Sequence, residues 1–123
     1  MASAVQSFID LRVWQKGMEL VPEIYRLTGT LPRQEEYGLR SQIRRAAVSI
    51  PTNIAEGHGR QHTGEFLQYL AIARGSLAEL QTLLILTVRL GYSREEELSV
   101  ANDLITDIRM LLFGLIRRLQ AKN

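Results

Sequence analysis

The sequence predicts an all-α fold, an up-down-up-down four-helix bundle. Three observations favour it. Apolar residues recur every three or four positions in four segments, short connections containing glycine or proline separate these segments, and no segment shows sustained period-two alternation. Four amphipathic helices joined by short connections can bury their apolar stripes against one another as a bundle.

Length and composition limit the alternatives. The chain's 123 residues correspond to one domain, with residues 1–9 expected to be frayed or disordered and residues 10–120 to form the bundle. The absence of cysteine excludes disulfides and thiolate metal sites and is typical of a reducing cytoplasm, where we expect the protein to be located. The N-terminus lacks a secretory signal pattern, and no apolar run approaches the ~20 residues of a membrane span, so no membrane association is expected.

The first helix is predicted to start at Asp10 as its N-cap and to end at Gly29 and Pro32. Its buried stripe is predicted from three-and-four spacing to be Leu11, Trp14, Met18, Val21 and Tyr25. Pro22 interrupts this helix, and we expect a bend there because proline removes a backbone hydrogen bond.

The second helix is predicted to run from Tyr37 to Glu56, with Gly57 as its stop. Its buried face is predicted to comprise Leu39, Ile43, Ala46, Ala47, Ile50 and Ile54. The two adjacent alanines should let a neighbouring helix approach closely. Pro51 lies where the apolar pattern continues. An interior proline costs roughly 3 kcal/mol and frees the carbonyl four residues back, so a kink is expected near Ala47.

Arginines border the buried face of the second helix. Arg40 and Arg44 flank one side, and Arg45 begins a polar stripe on the other side that continues with Ser49, Thr52, Asn53 and Glu56. Residues 38–60 carry four arginines and one glutamate, so the positive excess of the chain lies here. Two interpretations stay open: a core helix with a solvated arginine edge, or a surface whose arginines face a polyanion or an acidic partner.

The connection after the second helix, GHGRQHTGE, is the most turn-like part of the chain. The spacing of His58 and His62 would put both imidazoles on one face of a helix. However, the glycines argue against a helix, and no third metal ligand is evident. We therefore expect a mobile loop with two solvent-facing imidazoles and no metal site.

The third helix is predicted to be capped by Thr63 and closed by Gly91. A near-heptad core seam comprises Phe66, Leu70, Ala73, Leu77, Leu80, Leu84 and Val88. A second apolar line beside it comprises Leu67, Ala71 and Ile85. Gly75 costs about 1 kcal/mol relative to alanine inside a helix and is predicted to mark a close helix contact.

The fourth helix is predicted to begin with a capping box formed by Ser93 and Glu96. Its buried stripe is predicted to be Leu98, Ala101, Leu104, Ile105, Ile108, Leu111, Leu112, Leu115 and Leu119. Phe113 and Ile116 fall outside this stripe, which makes them candidates for a subunit interface.

Three stretches carry a resemblance to a known family. The run SQIRRAAVSIPTNIAEG, with DLRVWQK upstream and GEFLQYLAIARGSLAEL downstream, resembles the bacterial four-helix-bundle proteins encoded within intervening sequences of 23S ribosomal RNA genes. It is also similar to their relatives, the accessory variability proteins of diversity-generating retroelements. The resemblance spans Phe8 to Arg118. It implies a bundle that assembles into a ring-like homopentamer with a basic surface. For the retroelement relatives it also implies nucleic-acid binding and docking to a reverse transcriptase.

The resemblance implies no catalytic activity, and the residues also argue against an enzyme. The chain has no cysteine, no phosphate-loop signature and no HExxH motif. Glu56 beside His58 is the sole acid–imidazole pair near a predicted loop, and such proximity is common by chance. We expect no cofactor.

The leading hypothesis is a non-enzymatic, oligomeric module that binds RNA or DNA through the phosphate backbone. The residues predicted to bind phosphates are Arg40, Arg44, Arg45 and Arg60. A ring of several copies would present several such sets, which raises the affinity for a polyanion. No aromatic stacking platform is evident in the sequence, so weak sequence selectivity is expected. The alternative is a protein-interaction scaffold whose arginines form inter-subunit salt bridges to Glu56 or to the cluster Glu95–Glu97. The predicted oligomer interface comprises Leu67, Ile85, Phe113 and Ile116.

Overall fold

The computed structural model describes residues 7–122 and contains four α-helices: α1 (Arg12–Thr28), α2 (Leu39–His58), α3 (Thr63–Arg89) and α4 (Ser99–Ala121). Short 3-10 turns precede α1, α2 and α4 at Phe8–Asp10, Arg33–Glu35 and Glu95–Leu98. These described residues contain no strand. The predicted all-helical architecture of four helices is therefore confirmed. Residues 1–6, most of the N-terminal segment predicted to be frayed, lie outside the described residues.

The four helices occupy the corners of a square. Each helix packs against its neighbours in sequence, and α4 also packs against α1. Gly17 meets Pro51 near the middle of α1 and α2, whereas Thr28 meets Arg40 at the end of α1 and the start of α2, so these helices run antiparallel. The contact between α2 and α3 is the most extensive of the four.

Leucine and isoleucine side chains from all four helices fill the core. The largest fully buried apolar side chains are Leu20, Ile24, Ile43, Ile50, Ile54, Leu70, Leu77, Leu80, Ile105, Ile108 and Leu112. The buried faces predicted for the second, third and fourth helices are confirmed. Their predicted members that are not fully buried are half-buried and pack against the core: Phe66, Val88, Leu104, Leu111 and Leu119.

The buried stripe predicted for α1 is wrong by one position. The buried residues are Val13, Gly17, Leu20, Ile24 and Thr28. Met18 and Tyr25 of the predicted stripe are 47% and 43% exposed. The helix carries two apolar lines side by side, and spacing alone does not say which one faces the core. Gly17 favours this outcome, because a Cβ there would lie 3.3 Å from Cβ of Pro51, closer than side chains usually approach, so the glycine lets α2 pack closely on this line.

Two predicted N-caps are not used. Asp10 lies inside the 3-10 turn before α1, and Leu11 occupies the cap position without a side-chain hydrogen bond. Thr63 is the first residue of α3, one position after His62, which also forms no side-chain cap. Residue preferences at the N-cap do not determine the first residue of a helix to within one position when a turn leads directly into that helix.

Gly91 closes α3 as predicted, with a φ of 81°. Its N–H donates to the carbonyl of Val88 at 3.0 Å, and the N–H of Tyr92 donates to the carbonyl of Thr87 at 2.8 Å, which is a Schellman motif. The N–H of Ser93 also donates to Thr87, so Ser93 still belongs to the end of α3.

The predicted capping box is consequently one residue too early. Oε1 of Glu97, not a Glu96 oxygen, accepts the N–H of Arg94 at 2.6 Å. The Glu95–Leu98 turn follows, and α4 begins only at Ser99.

Two glycines have the opposite roles from those predicted. Gly57 is not a stop, because α2 continues through it to His58. A Cβ at Gly57 would lie 2.6 Å from Cβ of Tyr69 and 2.9 Å from Cδ1 of Phe66, so this glycine permits the close contact of α2 with α3. Gly75, predicted to mark a close contact, is exposed, and a Cβ there would meet nothing within 4 Å.

Both interior prolines lie within continuous helices. Pro22 is exposed on α1, and Pro51 is buried on α2. Since Pro51 has no N–H, the carbonyl of Ala47 lacks its usual intrahelical donor. The kink at Pro51 and the bend at Pro22 stay predictions.

The connection between α1 and α2 is held by Glu35. Its Oε1 accepts the N–H of Leu39 at 3.1 Å, which caps the start of α2, and its Oε2 accepts the hydroxyl of Tyr92 at 2.9 Å. The carboxylate beside this hydroxyl raises the pKa of Tyr92 above its ordinary value, because it favours the protonated phenol.

The expectation that no segment reaches membrane-spanning length needs correction for α3. By length and composition this helix could cross a bilayer, with a mean hydropathy of 1.3 over an 18-residue window. Core helices pass the same test, however, so the observation is weak. Leu70, Leu77, Leu80 and Leu84 of this helix pack in the core of the bundle, although only 33% of the apolar window is buried.

Candidate nucleic-acid interface

Arg40, the first of the predicted nucleic-acid ligands, is bound to the C-terminal end of α1. Its Nε donates to the carbonyl of Thr28 at 2.9 Å, and its Nη2 donates to the carbonyl of Leu31 at 2.5 Å. Its Nη1 pairs with Oε1 of Glu36 at 3.0 Å, and its side chain is 14% exposed. The guanidinium therefore satisfies the last carbonyl of α1, which has no intrahelical partner, and one carbonyl of the connection that follows.

Arg44 is held at the same end of α1. Its Nε donates to Oγ1 of the buried Thr28 at 2.8 Å, and its Nη2 donates to the carbonyl of Tyr25 at 3.2 Å. The guanidinium carbon lies 4.3 Å from the centroid of the Tyr25 ring, a cation–π contact. Arg40 and Arg44 thus fasten α2 to α1, a role that the sequence did not predict for them.

We expect Arg40→Met to lower the free energy of unfolding by about 2 kcal/mol, because hydrogen bonds to a charged group each contribute about 1.5–3 kcal/mol. The matched control is Arg45→Met, which removes an exposed arginine from the same helix and should change stability by less than about 0.5 kcal/mol. Urea denaturation at one protein concentration compares the two variants. Equal losses of stability would contradict a structural role specific to Arg40.

Arg45 is exposed on α2 and lines an open groove of about 590 Å³ whose other walls include Tyr25 and Asn53. Within residues 7–122 it forms no ion pair. Its charge is therefore not neutralised by a carboxylate of the described chain.

Arg60 lies just beyond α2, in the short connection to α3. Its guanidinium donates a hydrogen bond to the hydroxyl of Tyr69 and lies 4.9 Å from the centroid of that ring. The residue is exposed, and no carboxylate of the described residues forms an ion pair with it. The tyrosine orients the guanidinium without cancelling its charge.

The four predicted ligands do not form one patch. Arg40 and Arg44 lie together at the start of α2, whereas Arg60 follows its end, roughly 30 Å away at the helical rise per residue. Arg45 lies on α2 and Arg60 lies just after its end, so they are two separate positive charges without carboxylate partners in the described residues.

Two residues of the polar stripe of the second helix, Ser49 and Asn53, have structural roles. Oγ of Ser49 lies 2.8 Å from Oγ of Ser76 on α3. Nδ2 of Asn53 donates to the carbonyl and to Oγ of Ser49 at 2.8 Å and 2.9 Å. The Ser49–Ser76 contact joins α2 to α3, and Asn53 holds Ser49 from within α2, so the central motif also contributes to packing on this side.

A second apolar surface, which the sequence did not predict, lies between α1 and α2. We call it the α1–α2 groove; it measures about 490 Å³ and is lined by Trp14, Met18, Val21, Pro22, Val48, Pro51, Thr52, Ala55 and Glu56. It shares Val48 and Thr52 with the groove that Arg45 lines. The sequence signal for this groove is the apolar line Trp14, Met18 and Val21 of α1, which the spacing argument assigned to the core.

The predicted oligomer interface lies on the other side of the bundle, on α3 and α4. Leu67 and Ile116 are half-buried, and Ile116 packs against the core. Ile85 is 49% exposed and Phe113 is 61% exposed. The interface assignment of these four residues stays a prediction.

The connection that carries the two histidines is shorter than predicted, and the expectation that both imidazoles face solvent is wrong for His58, which is half-buried. His58 is the last residue of α2, and its ring meets the ring of Phe66 edge-on with centroids 5.7 Å apart. His62 is exposed immediately before α3. The described residues contain no group of three side chains placed to hold a metal ion.

Comparisons with known proteins agree with this fold. The sequence model of the family described as 23S rRNA-intervening sequence protein matches residues 9–114. A crystal structure of a protein of unknown function from the S23 ribosomal protein family of Bacteroides thetaiotaomicron is 31% identical, with a TM-score of 0.78. The alignment covers 85% of this chain and 97% of that one. No curated protein matches the chain significantly.

Proposed function

The chain belongs to the 23S rRNA-intervening sequence protein family, and we propose that it is a non-enzymatic, self-associating protein that binds RNA or DNA through the phosphate backbone. The observation that carries this proposal is the unneutralised positive charge. Of the chain's 15 basic residues, those in ion pairs among residues 7–122 are Lys16, Arg26, Arg40 and Arg94. Arg45 and Arg60 are exposed and are not among them.

Self-association makes such dispersed charges effective. One copy offers two separated arginines from the central motif, which is a weak ligand for a polyanion. Several copies in one assembly multiply the contacts along a strand, and each phosphate contact releases a condensed counterion. Affinity should therefore depend steeply on both salt concentration and oligomeric state.

The α1–α2 groove supports self-association. It is apolar along Trp14, Val21 and Pro51, and Met18 and Val48 on its walls are 47% and 40% exposed. Contiguous exposed apolar surface of this kind marks an interaction site on a small protein. We propose a second copy of the chain as its occupant, in line with the homopentamer that the family resemblance implies.

The nucleic-acid proposal is tested by a salt titration of the double variant Arg45→Gln/Arg60→Gln. We expect weaker binding to RNA and DNA of any sequence and a binding-versus-salt slope lower by about 1 per arginine that contacts a phosphate. The matched control is Arg26→Gln, because Glu23 already neutralises this exposed arginine at 2.6 Å. Absence of binding by the unmodified protein at low salt would refute the proposal.

The second candidate is the protein-interaction scaffold. The observation in its favour is that Arg45 borders the surface where a second copy would bind. Arg45 could therefore form an ion pair with Glu56 or with the exposed cluster Glu95–Glu97 of that copy. Light scattering on the same variants separates the two functions. The scaffold predicts that Arg45→Gln dissociates the oligomer and that the unmodified protein has no salt-sensitive affinity for nucleic acid.

A further inference from the structure

An exposed aromatic ring lies between two arginines on the outer face of α4. Phe113 is 61% exposed. Arg109 and Arg117 lie four residues before and after it, so all three side chains share one face of the helix. The guanidinium carbon of Arg117 lies 5.6 Å from the centroid of the Phe113 ring. We call these three residues the Arg109–Phe113–Arg117 ridge.

The ridge carries two positive charges without carboxylate partners. Nη2 of Arg109 donates to Oε1 of Gln81 on α3 at 2.6 Å, and this neutral amide positions the guanidinium without reducing its charge. Neither arginine forms an ion pair within residues 7–122. The nearest acidic residue in sequence, Asp107, lies 3.9 Å from Nζ of Lys16 on α1.

From this geometry we propose that the ridge is a stacking site for an unpaired base of a single-stranded nucleic acid. The base stacks on the face of the Phe113 ring opposite the Arg117 guanidinium, and the phosphates on either side of it contact Arg109 and Arg117. Every base has a π-face, so the contact needs no particular sequence. At one helical turn each way, the two arginines lie roughly 6 Å along the helix from the ring.

Charge favours a nucleic acid over a second copy of the chain on this ridge. A protein neighbour would have to desolvate two guanidiniums and supply carboxylates for both, and leaving buried charges unpaired is costly. A polyanion brings the matching charge to both arginines, and its base covers the exposed ring between them. This inference rests on the proposed nucleic-acid function and adds a preference for single strands, which the sequence alone did not predict.

The test compares Phe113→Ala with the unmodified protein, using labelled single strands of about twelve nucleotides, RNA and DNA, and duplexes of the same length. We expect Phe113→Ala to bind both single strands about tenfold more weakly, which is the loss of one stacked base, and to bind duplexes unchanged. Phe113→Trp should retain single-strand binding, and its added indole fluorescence should be quenched by a bound base. Met110→Ala is the matched control, because it removes a similarly exposed apolar side chain from the same helix that belongs neither to the ridge nor to the predicted interface.

The outcomes separate this inference from the proposed function. If the unmodified protein binds neither single strands nor duplexes at low salt, both fail. If it binds both and Phe113→Ala changes neither affinity, or lowers both equally, the stacking site is overturned and backbone binding stands. If Phe113→Ala instead lowers the oligomer mass measured by light scattering, the ridge is a subunit interface and the inference is wrong.

Discussion

Gly57→Ala is expected to destabilise the protein by about 2 kcal/mol, although alanine is the better helix former. Within α2 the substitution gains about 1 kcal/mol of helix propensity. The new Cβ, however, would lie 2.6 Å from Cβ of Tyr69 and 3.3 Å from the carbonyl oxygen of Phe66. Both atoms are fixed by the backbone of α3, so the helices must move apart, and overpacking of this kind costs about 3 kcal/mol.

Gly75→Ala is the matched control, a second glycine in the interior of a long helix. Its Cβ would meet nothing within 4 Å, so only the propensity term remains, and we expect a gain of about 1 kcal/mol. Urea denaturation measures both variants at one protein concentration, because the proposed self-association would make apparent stability depend on concentration. A Gly57→Ala protein as stable as the unmodified one would show that α2 and α3 do not pack as closely as described.

The number and type of the elements could be predicted because each helix carries its own periodic signal. The buried faces of α2, α3 and α4 follow from spacing alone, since each of these helices has one dominant apolar stripe facing the core. Helix α1 has two such stripes, and the choice between them depends on Gly17 meeting Pro51 across the bundle. That contact joins residues far apart in sequence, so no local pattern reports it.

Glycine roles show the same limit. The residue is common both as a helix stop and where two helices approach closely. The stop at Gly91 is made by local backbone hydrogen bonds of Gly91 and the two residues that follow it, whereas the roles of Gly57 and Gly75 depend on the neighbouring helix. The local sequence around a mid-helix glycine does not identify what lies opposite it.

The candidate site was predicted less well than the fold. Arginines at the edge of an apolar stripe were expected to reach solvent, yet Arg40 and Arg44 end on backbone and side-chain oxygens of α1. Their acceptors belong to the end of another helix, which a helical wheel of α2 cannot include. Arg45 and Arg60 keep exposed, unneutralised charge, so the nucleic-acid proposal now depends on these two. The Arg109–Phe113–Arg117 ridge adds a separate inference to it.

The second prediction concerns assembly. If copies of the chain associate through the α1–α2 groove as proposed, Met18→Arg is expected to leave the protein monomeric at micromolar concentration while the bundle stays folded. Met18 is 47% exposed on the wall of the α1–α2 groove, so an arginine there can extend into water in the free chain. In an assembly it would be buried against an apolar surface without a carboxylate partner, which costs about 3–5 kcal/mol per contact and weakens association by several hundredfold or more.

The matched control for assembly is Ile85→Arg, because Ile85 is 49% exposed on α3 and belongs to the interface predicted from sequence. If copies associate through the α1–α2 groove, light scattering should give a monomer for Met18→Arg and an unchanged oligomer for Ile85→Arg, with equal helicity by circular dichroism. The reverse result would place the interface on α3 and α4. In that case the α1–α2 groove would stay exposed in the assembly. An exposed apolar surface of this kind marks a binding site, so the groove would then bind a partner other than a second copy.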